Sequence, residues 1–309
     1  MLSRVILIAQ AVELGLYCAL GAWMHARHGV SWPVVGALVA GLVVGVRLAI
    51  ICASFAISWS RHTPRAPGQQ IGVVATIAMV LSEWRAFLLL SLVHLPWERR
   101  LLRPDPVAAR GDRPAVILAH GYFVNRGCFL HLVRDLEAAG VNPIFTPNLR
   151  SWFAPIERME QDLAAEIERV ATATGRRVIV VAHSMGGLGA RAVLAHGGTR
   201  DVARLVTIAS PHHGTVLAYL GAGANARQMR PHSDFLRGLA HAEGEQGPGI
   251  PVTTIHSAHD NLVAPQDTSR LPWARAIVMS GIGHVDILGS PELACLVKDE
   301  LREGGALPG

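Results

Sequence analysis

The chain has 309 residues, of which 50% are hydrophobic and 17% are charged, and its formal net charge is +5. The positive charge comes from scattered arginines, and no basic stripe with interleaved aromatic residues is present, which argues against a nucleic-acid-binding protein. The cysteines show no CxxC pair and no regular spacing, so they predict neither a disulfide framework nor a zinc site. They are Cys18, Cys52, Cys128 and Cys295. We therefore expect no nucleic-acid partner, no metal and no cofactor.

Three long apolar segments fill the first third of the chain, at 5–24, 33–59 and 71–95. Each is long enough to cross about 30 Å of hydrocarbon as a helix. The linkers at 25–32 and 60–70 are short and rich in helix breakers, which is typical of turns between helices. A secretory signal peptide is the alternative for the first segment, but its apolar run is long and further apolar segments follow. We predict two to three membrane-spanning helices.

Charged residues interrupt these segments at four positions: Glu13, Arg47, Glu83 and Arg85. Each charge costs about 2.5–3.5 kcal/mol at the centre of a bilayer. They predict either ion pairs between helices or side chains that reach the membrane interface. Gly41 and Gly45 form a GxxxG motif that would let a neighbouring helix approach closely. Arginines flank the segments almost equally on both sides, so the side of the membrane that the rest of the chain faces stays open.

From residue 113 onward, short apolar runs alternate with amphipathic segments. Strands are predicted at 116–119, 141–149, 177–183, 202–210, 251–258 and 274–281, and helices at 127–140, 155–175 and 185–198. The strand runs are continuous in Val and Ile without polar alternation, which is typical of strands buried on both faces in a parallel sheet. We predict an α/β domain over residues 99–309, with a mostly parallel sheet flanked by helices, preceded by membrane-anchoring helices over 1–98.

Ser184 lies where a predicted strand gives way at once to a predicted helix. Ala182 and Gly186, two residues before and after it, are small enough to permit a strained turn that raises the hydroxyl above the sheet edge. Such a turn is called a nucleophile elbow. The pattern alone is a weak signal, because an ordinary tight strand–helix turn has the same spacing.

A serine hydroxyl is a poor nucleophile unless a base accepts its proton. His284 follows a late predicted strand in a Gly-rich loop, and Asp260 follows an earlier one. The histidine would act as base and then as acid, while the aspartate would fix its tautomer and stabilise the imidazolium. The backbone N–H groups of Tyr122 and Met185 would form an oxyanion hole. The sequence predicts a catalytic triad of Ser184, Asp260 and His284.

Other histidines and acids in these segments are predicted to have different roles. His120 and His183 are interpreted as structural hydrogen-bonding residues, because the backbone should aim them away from the Ser184 hydroxyl. Asp286 is the alternative acid, but it lies only two residues from His284, which is too close along the chain to cradle the same imidazole easily. His212 and His213 are expected to buttress the site, and His256 and His259, which flank Asp260, are expected to serve its loop.

Taken together, these motifs resemble those of the α/β-hydrolase-fold bacterial lipases and esterases. The segment "AHSMGG" is similar to the elbow of small bacterial lipases that carry alanine in place of the first glycine, and "AHGY" and "ASPHHGT" are similar to two further segments of that family. The chain order Ser, Asp, His is also that of the fold. The resemblance covers residues 113–288 and leaves out the apolar segments. Calcium-site acids and a long lid insertion are missing from it, and the candidate cover elements are 149–158 and 215–239.

The resemblance implies an α/β-hydrolase fold and a serine hydrolase of carboxylic esters. Its substrates would be acylglycerols or phospholipids, cleaved through an acyl-enzyme. The apolar segments, which lie outside the resemblance, predict a protein integral to a membrane, which in a bacterium would be the cytoplasmic membrane. The expected partners are a lipid or small ester substrate and the bilayer, and the oligomeric state stays open. The alternatives are an acyltransferase or thioesterase that uses the same triad, and a catalytically inert membrane scaffold.

Overall fold

Three long helices open the chain in the computed structural model, which describes residues 2–106, 112–150 and 152–308. They are α1 (Leu2–His28), α2 (Trp32–Ser60) and α3 (Val73–Leu89), and α3 continues into a π-helical turn, Leu90–His94. Gly29 adopts a left-handed conformation (φ +66°) that ends α1, and the proline after Trp32 starts α2 with its preset φ. All three helices are long and apolar enough to cross a membrane, judged by length and composition.

Polar and close-packed contacts join these helices. Arg47 of α2 forms a two-pronged ion pair with Glu13 of α1, with Nη1–Oε1 and Nη2–Oε2 distances of 2.9 and 2.8 Å. α1 and α2 pack tightly at Gly21, where an added Cβ would lie 2.4 Å from Cγ1 of Val35. One of the predicted interhelical ion pairs therefore forms.

Two expectations for this region are corrected by the structure. Among the described residues, nothing lies within 4 Å of a Cβ added at Gly41 or Gly45, so the GxxxG motif makes no close helix contact there. Glu83 does not pair with an arginine of a neighbouring helix, and Arg85 is exposed on the outer face of α3. The partners of Glu83 lie instead in the α/β domain, as described below.

The α/β domain contains one six-stranded parallel sheet. Its strands are β1 (Val116–Ala119), β2 (Ile144–Phe145), β3 (Val178–His183), β4 (Val202–Ile208), β5 (Val252–Ser257) and β6 (Arg275–Met279), in the order β2-β1-β3-β4-β5-β6. Every predicted strand is present. β2 is much shorter than the predicted run 141–149, because Pro143 and Pro147 cannot donate hydrogen bonds to a neighbouring strand.

Helices cover both faces of the sheet. The chain adds α4 (Glu98–Leu101), α5 (Leu130–Ala138), α6 (Ile156–Thr174), α7 (Met185–Ala195), α8 (Ala224–Gln228), α9 (Asp234–Glu243) and α10 (Pro291–Glu303). The apolar faces of α5 and α10 pack on one side of the sheet, and those of α6 and α7 on the other. Leu90 and Leu95, at the end of the third apolar segment, are part of the first of these cores.

Because all six strands are parallel, their carboxyl ends meet along one edge of the sheet. The loops after β1, β3, β5 and β6 carry His120, Ser184, Asp260 and His284, respectively. The strand order reverses between β1 and β3, which is where open α/β sheets form their ligand-binding crevice. The fold thus places every predicted site residue at this edge.

Candidate active site

Ser184 adopts the strained backbone expected at an elbow. Its φ and ψ are 56° and −129°, in a region that residues with a side chain rarely occupy, and its N–H donates to the carbonyl of Ile208 on β4 at 2.8 Å. The turn is so tight that a Cβ added at Gly186 would lie 2.3 Å from the carbonyl oxygen of Ala119. Glycine is therefore needed two residues after the serine. Ser184 is half-buried and immediately precedes α7.

The imidazole of His284 is paired with the carboxylate of Asp260. The Nδ1–Oδ2 and Nδ1–Oδ1 distances are 2.8 and 3.1 Å, and both residues are buried. Oδ1 of Asp260 also accepts the backbone N–H groups of Leu262 and Val263, each at 2.7 Å. The carboxylate is thus fixed by its own loop, with Nδ1 of the histidine as the donor and Nε2 left for another partner.

Burial lowers the pKa of His284, but the charge and hydrogen bond of Asp260 oppose it, and the nearby Glu83 carboxylate adds to them. The net result is a pKa above the ordinary value of histidine. Ser184 and His284 both line one cavity of about 820 Å³. The structure therefore brings the serine, the histidine and the acid to the same place.

The loop after β1 lies directly against the elbow. A Cβ added at Gly121 would lie 2.8 Å from Cβ of Ser184 and 3.2 Å from the backbone nitrogen of Met185. Tyr122 follows in the chain and lines the cavity with Ser184, while its hydroxyl is held by the backbone of Ala222 through bonds of 2.8 and 3.1 Å. Tyr122 and Met185, the predicted oxyanion residues, therefore both lie beside the serine.

The two neighbouring histidines make structural hydrogen bonds. Nε2 of His183 donates to the carbonyl of His284 at 3.2 Å. Nε2 of His120 accepts the N–H of Leu149 at 3.0 Å, so its Nδ1 donates to the carbonyl of Gly121 at 3.2 Å. Burial lowers the pKa of His120 to about 4 and holds the pKa of His183 well below its usual range, so both rings are neutral.

Asp286, the alternative acid, is occupied elsewhere. Its carboxylate accepts a hydrogen bond from the hydroxyl of Ser82 on α3 at 2.6 Å. Among the other histidines, His212 pairs through Nε2 with the Thr207 hydroxyl at 2.9 Å, and Nδ1 of His259 accepts the N–H of Gly281 at 3.1 Å. His213 and His256 are also near this edge, and burial lowers the pKa of both, that of His256 to about 4.

Four residues bind the loops that carry Asp260 and His284 through contacts that the sequence motifs did not predict. Asn261 accepts the backbone N–H of His284 on Oδ1 at 2.9 Å and donates from Nδ2 to the hydroxyl of Ser54 at 2.9 Å. The hydroxyl of Ser58 donates to the carbonyl of Asp260 at 2.7 Å. Glu83 accepts backbone N–H groups next to His284. Three of the four belong to the apolar helices, which no local motif links to residues 200 positions later.

The cavity at Ser184 is walled mainly by apolar side chains from all three of those helices. The helical lining residues are Val5, Ile6, Ala9, Gln10 and Glu13 of α1, Arg47, Ile50, Ile51, Ala53, Ser54 and Ile57 of α2, and Glu83 and Phe87 of α3, with Leu90, Ser91 and Leu95 beyond it. The 215–239 segment, a predicted cover, contributes Leu217, Leu220 and Met229. Of the 149–158 segment, Ser151 lies outside the described residues, while Phe153 packs on Phe123 at 5.4 Å between ring centres.

In the described part of the chain, no group of three or more His, Cys, Asp or Glu side chains is arranged to hold a metal ion. The four cysteines are free, and Cys128 is buried at the edge of the cavity. Burial raises the pKa of its thiol, which keeps it protonated and poorly nucleophilic.

A sequence model of the "Alpha/beta hydrolase family" matches residues 116–292, more than half of the chain. The chain belongs to the alpha/beta hydrolase family. The predicted α/β-hydrolase fold is thereby confirmed, with the elbow, the Asp–His pair and the sheet order all inside the matched range.

Two solved structures are similar to this α/β-hydrolase. Lipase B of Aspergillus fumigatus matches with a TM-score of 0.58 and 20% identity, over 69% of this chain and 59% of that one. The mature form of the Bacillus licheniformis lipase BlEst2 matches with a TM-score of 0.54 and 19% identity, over 65% of this chain and 99% of that one. The chain thus spans about three fifths of the length of the Aspergillus lipase. At these identities the likeness shows a shared fold.

Proposed function

We propose that this α/β-hydrolase is a membrane-bound serine hydrolase that cleaves the carboxylic esters of lipids. The observation that carries the proposal is the cavity at Ser184, to whose walls three helices that are long and apolar enough to cross a bilayer all contribute. An apolar cavity of about 820 Å³ is of the size that binds small organic ligands, and acyl chains are the ligands that suit such walls.

In the proposed reaction, Oγ of Ser184 attacks the acyl carbonyl carbon while Nε2 of His284 accepts the hydroxyl proton. The backbone N–H groups of Tyr122 and Met185 stabilise the negative charge that develops on the carbonyl oxygen. The C–O bond to the alcohol then breaks, and the alcohol leaves with the proton held by His284, so that an acyl-enzyme on Ser184 remains. His284 next deprotonates a water molecule, which attacks the acyl-enzyme, releases the acid and restores the serine.

The outer surface of the helical region supports a membrane location. Large apolar side chains on this surface are exposed, among them Leu16, Trp23, Val73, Val74 and Ile77. A large exposed apolar surface marks a membrane or protein interaction site. Near the cavity, Phe123, Phe153, Tyr219 and Leu220 are also exposed and would lie at the membrane interface.

The proposal also assigns different roles to two parts of the chain. Residues 1–98 would anchor the protein through two or three spans, and residues 99–309 would form the catalytic domain. The two solved structures with a similar fold are lipases, which supports ester hydrolysis as the reaction. The apolar cavity favours acylglycerols or phospholipids over small polar esters as substrates.

The test is hydrolysis by the full chain in phospholipid vesicles, with p-nitrophenyl esters of increasing acyl length and with diacylglycerol in the same vesicles. We expect kcat/KM to rise with acyl length, because longer chains bury more apolar surface in the cavity. The Ser184→Ala variant serves as the control and should release neither nitrophenol nor fatty acid. Equal turnover by wild type and Ser184→Ala would refute the proposed function.

A further inference from the structure

Glu83 is an acidic residue in the middle of an apolar helix, yet it is fully buried. Its carboxylate accepts the backbone N–H of Val285 at 3.0 Å (Oε1) and 3.1 Å (Oε2). Oε2 also accepts the N–H of Asp286 at 2.8 Å. The two residues follow His284 directly, so a side chain of α3 binds the backbone of the loop that carries the catalytic imidazole.

The contact is close on the other side of His284 as well. A Cβ added at Gly283 would lie 2.5 Å from Oε2 of Glu83. Only a glycine therefore leaves room for this carboxylate, which touches the chain on both sides of the histidine. This contact explains why position 283 of the Gly-rich loop is a glycine.

The helices hold the same loops at two further points. The hydroxyl oxygen of Ser54 on α2 accepts a hydrogen bond from Nδ2 of Asn261. Oδ1 of Asn261 in turn accepts the backbone N–H of His284. Ser58, one helical turn later, donates to the carbonyl of Asp260. Ser54, Ser58 and Glu83, three buried polar residues of α2 and α3, thus bind the loops that carry Asp260 and His284.

A buried carboxylate is costly, because it loses its hydration and regains only the hydrogen bonds that the protein provides. A glutamine at position 83 would carry no charge and would keep one side-chain oxygen as an acceptor for these N–H groups. Ionisable residues inside apolar helices are functional candidates for this reason. The charged groups that face His284 are Asp260 from the loop after β5 and Glu83 from α3, while the His183 ring from the end of β3 is neutral.

We propose that Glu83 is a positioning residue for His284: it fixes the backbone of the histidine loop and stabilises the imidazolium that forms when Ser184 gives up its proton. The apolar helices are then part of the catalytic machinery and not only an anchor. The inference rests on the proposed function, since it assigns His284 the role of base.

The test compares Glu83→Gln, Glu83→Asp and the control Arg85→Gln, which removes an exposed charge from the same helix, in the full chain in vesicles. With Glu83→Gln we expect kcat to fall about 10- to 100-fold at little change in KM, because misplacement of the base affects the transition state more than substrate binding. The acid limb of the pH profile should move to lower pH, because a negative charge that favours the imidazolium is gone. Glu83→Asp should have a lower kcat but an acid limb at the wild-type pH. Arg85→Gln should have the kcat and the acid limb of the wild type.

A wild-type kcat and an unchanged acid limb in Glu83→Gln would overturn the inference. If Glu83→Gln does not fold in detergent, Glu83→Asp decides, and an unchanged kcat there would overturn it. The titration of His284, followed by NMR of labelled histidine in wild type and Glu83→Gln, gives a readout that needs no turnover. An inactive wild type would refute the proposed function, while the His284 titration would still show whether Glu83 acts on the imidazole.

Discussion

The sheet and the three apolar helices contribute to the site in different ways. The sheet positions the proposed triad, because its parallel strands bring Ser184, Asp260 and His284 to one edge. The helices supply much of the cavity wall and hydrogen bonds to the loops that carry Asp260 and His284. The Asp260 and His284 loops are therefore held by contacts from the apolar helices as well as by contacts within the α/β domain.

The polar residues of the two regions differ in the same way. In the α/β domain, buried charges are paired with each other, as in the ion pair of Arg191 with Glu243. In the helices, Glu13 and Arg47 follow that pattern, whereas Ser54, Ser58 and Glu83 bind loops about 200 residues away. Substitutions in the α/β domain and in the helices should therefore have different effects, which the following predictions state.

The largest effect is expected from removal of the nucleophile. Ser184→Ala should lower kcat by about 10⁴-fold or more, because no other described hydroxyl occupies the elbow. The protein should stay folded, since the alanine keeps the Cβ that packs against Gly121. Hydrolysis of a p-nitrophenyl ester and thermal unfolding in detergent check both points. A folded variant with wild-type kcat would contradict the account.

The second largest loss of kcat is expected from substitution of Asp260, the proposed acid of the triad. Asp260→Asn should lower kcat by about 10³- to 10⁴-fold, because an amide cannot hold the imidazole in the required tautomer or stabilise its positive charge. The matched control is Asp286→Asn, whose side chain binds Ser82 and not His284. Comparison of kcat for the two variants settles which carboxylate serves the histidine. A larger loss in Asp286→Asn would reverse the assignment.

The pH dependence follows from the direction of the His284 pKa. Asp260 and Glu83 raise it above the ordinary value of histidine against the effect of burial, and catalysis needs the neutral imidazole as base. Activity should therefore be full above that pKa and fall about tenfold for each pH unit below it. The acid limb of kcat/KM measures it, and a limb below the ordinary histidine value would contradict the prediction.

The smallest effect concerns the packing of the helices. Gly21→Leu should destabilise the helical region by about 1–3 kcal/mol, because even its Cβ would overlap Val35. Gly41→Leu is the matched control, because an added Cβ there meets nothing within 4 Å. Thermal unfolding in detergent should show a lower Tm for the first variant only. The reverse order would mean that the GxxxG face packs in solution.

The sequence predicted the sheet well, because each strand has a local signal in its run of Val and Ile. Sequence patterns also singled out the three residues that lie together at the sheet edge, since Ser184 has an elbow pattern and Asp260 and His284 follow predicted strands; their catalytic roles stay a prediction. Glu83 was recognised as an anomaly, but its partners were not, because the contact joins α3 to backbone N–H groups that any residue type would offer. The short β2 was missed because proline interrupts hydrogen bonding without reducing apolar character.

The walls of the cavity were only partly foreseen. The segment 215–239 was a candidate cover and does line the cavity, but the larger share comes from helices that were expected only to anchor the chain. Their inward and outward faces are both apolar, so composition could not show which side chains face the serine. That distinction depends on long-range packing.

The most direct measurement is the site of covalent labelling by a fluorophosphonate, mapped by mass spectrometry on the full chain in vesicles. An activated serine attacks this reagent, and the account predicts a single phosphonyl group on Ser184, with labelling that slows strongly in His284→Ala and Asp260→Asn. Ester hydrolysis by a protein that carries no label on Ser184, or labelling of Ser184 that does not depend on His284, would contradict it.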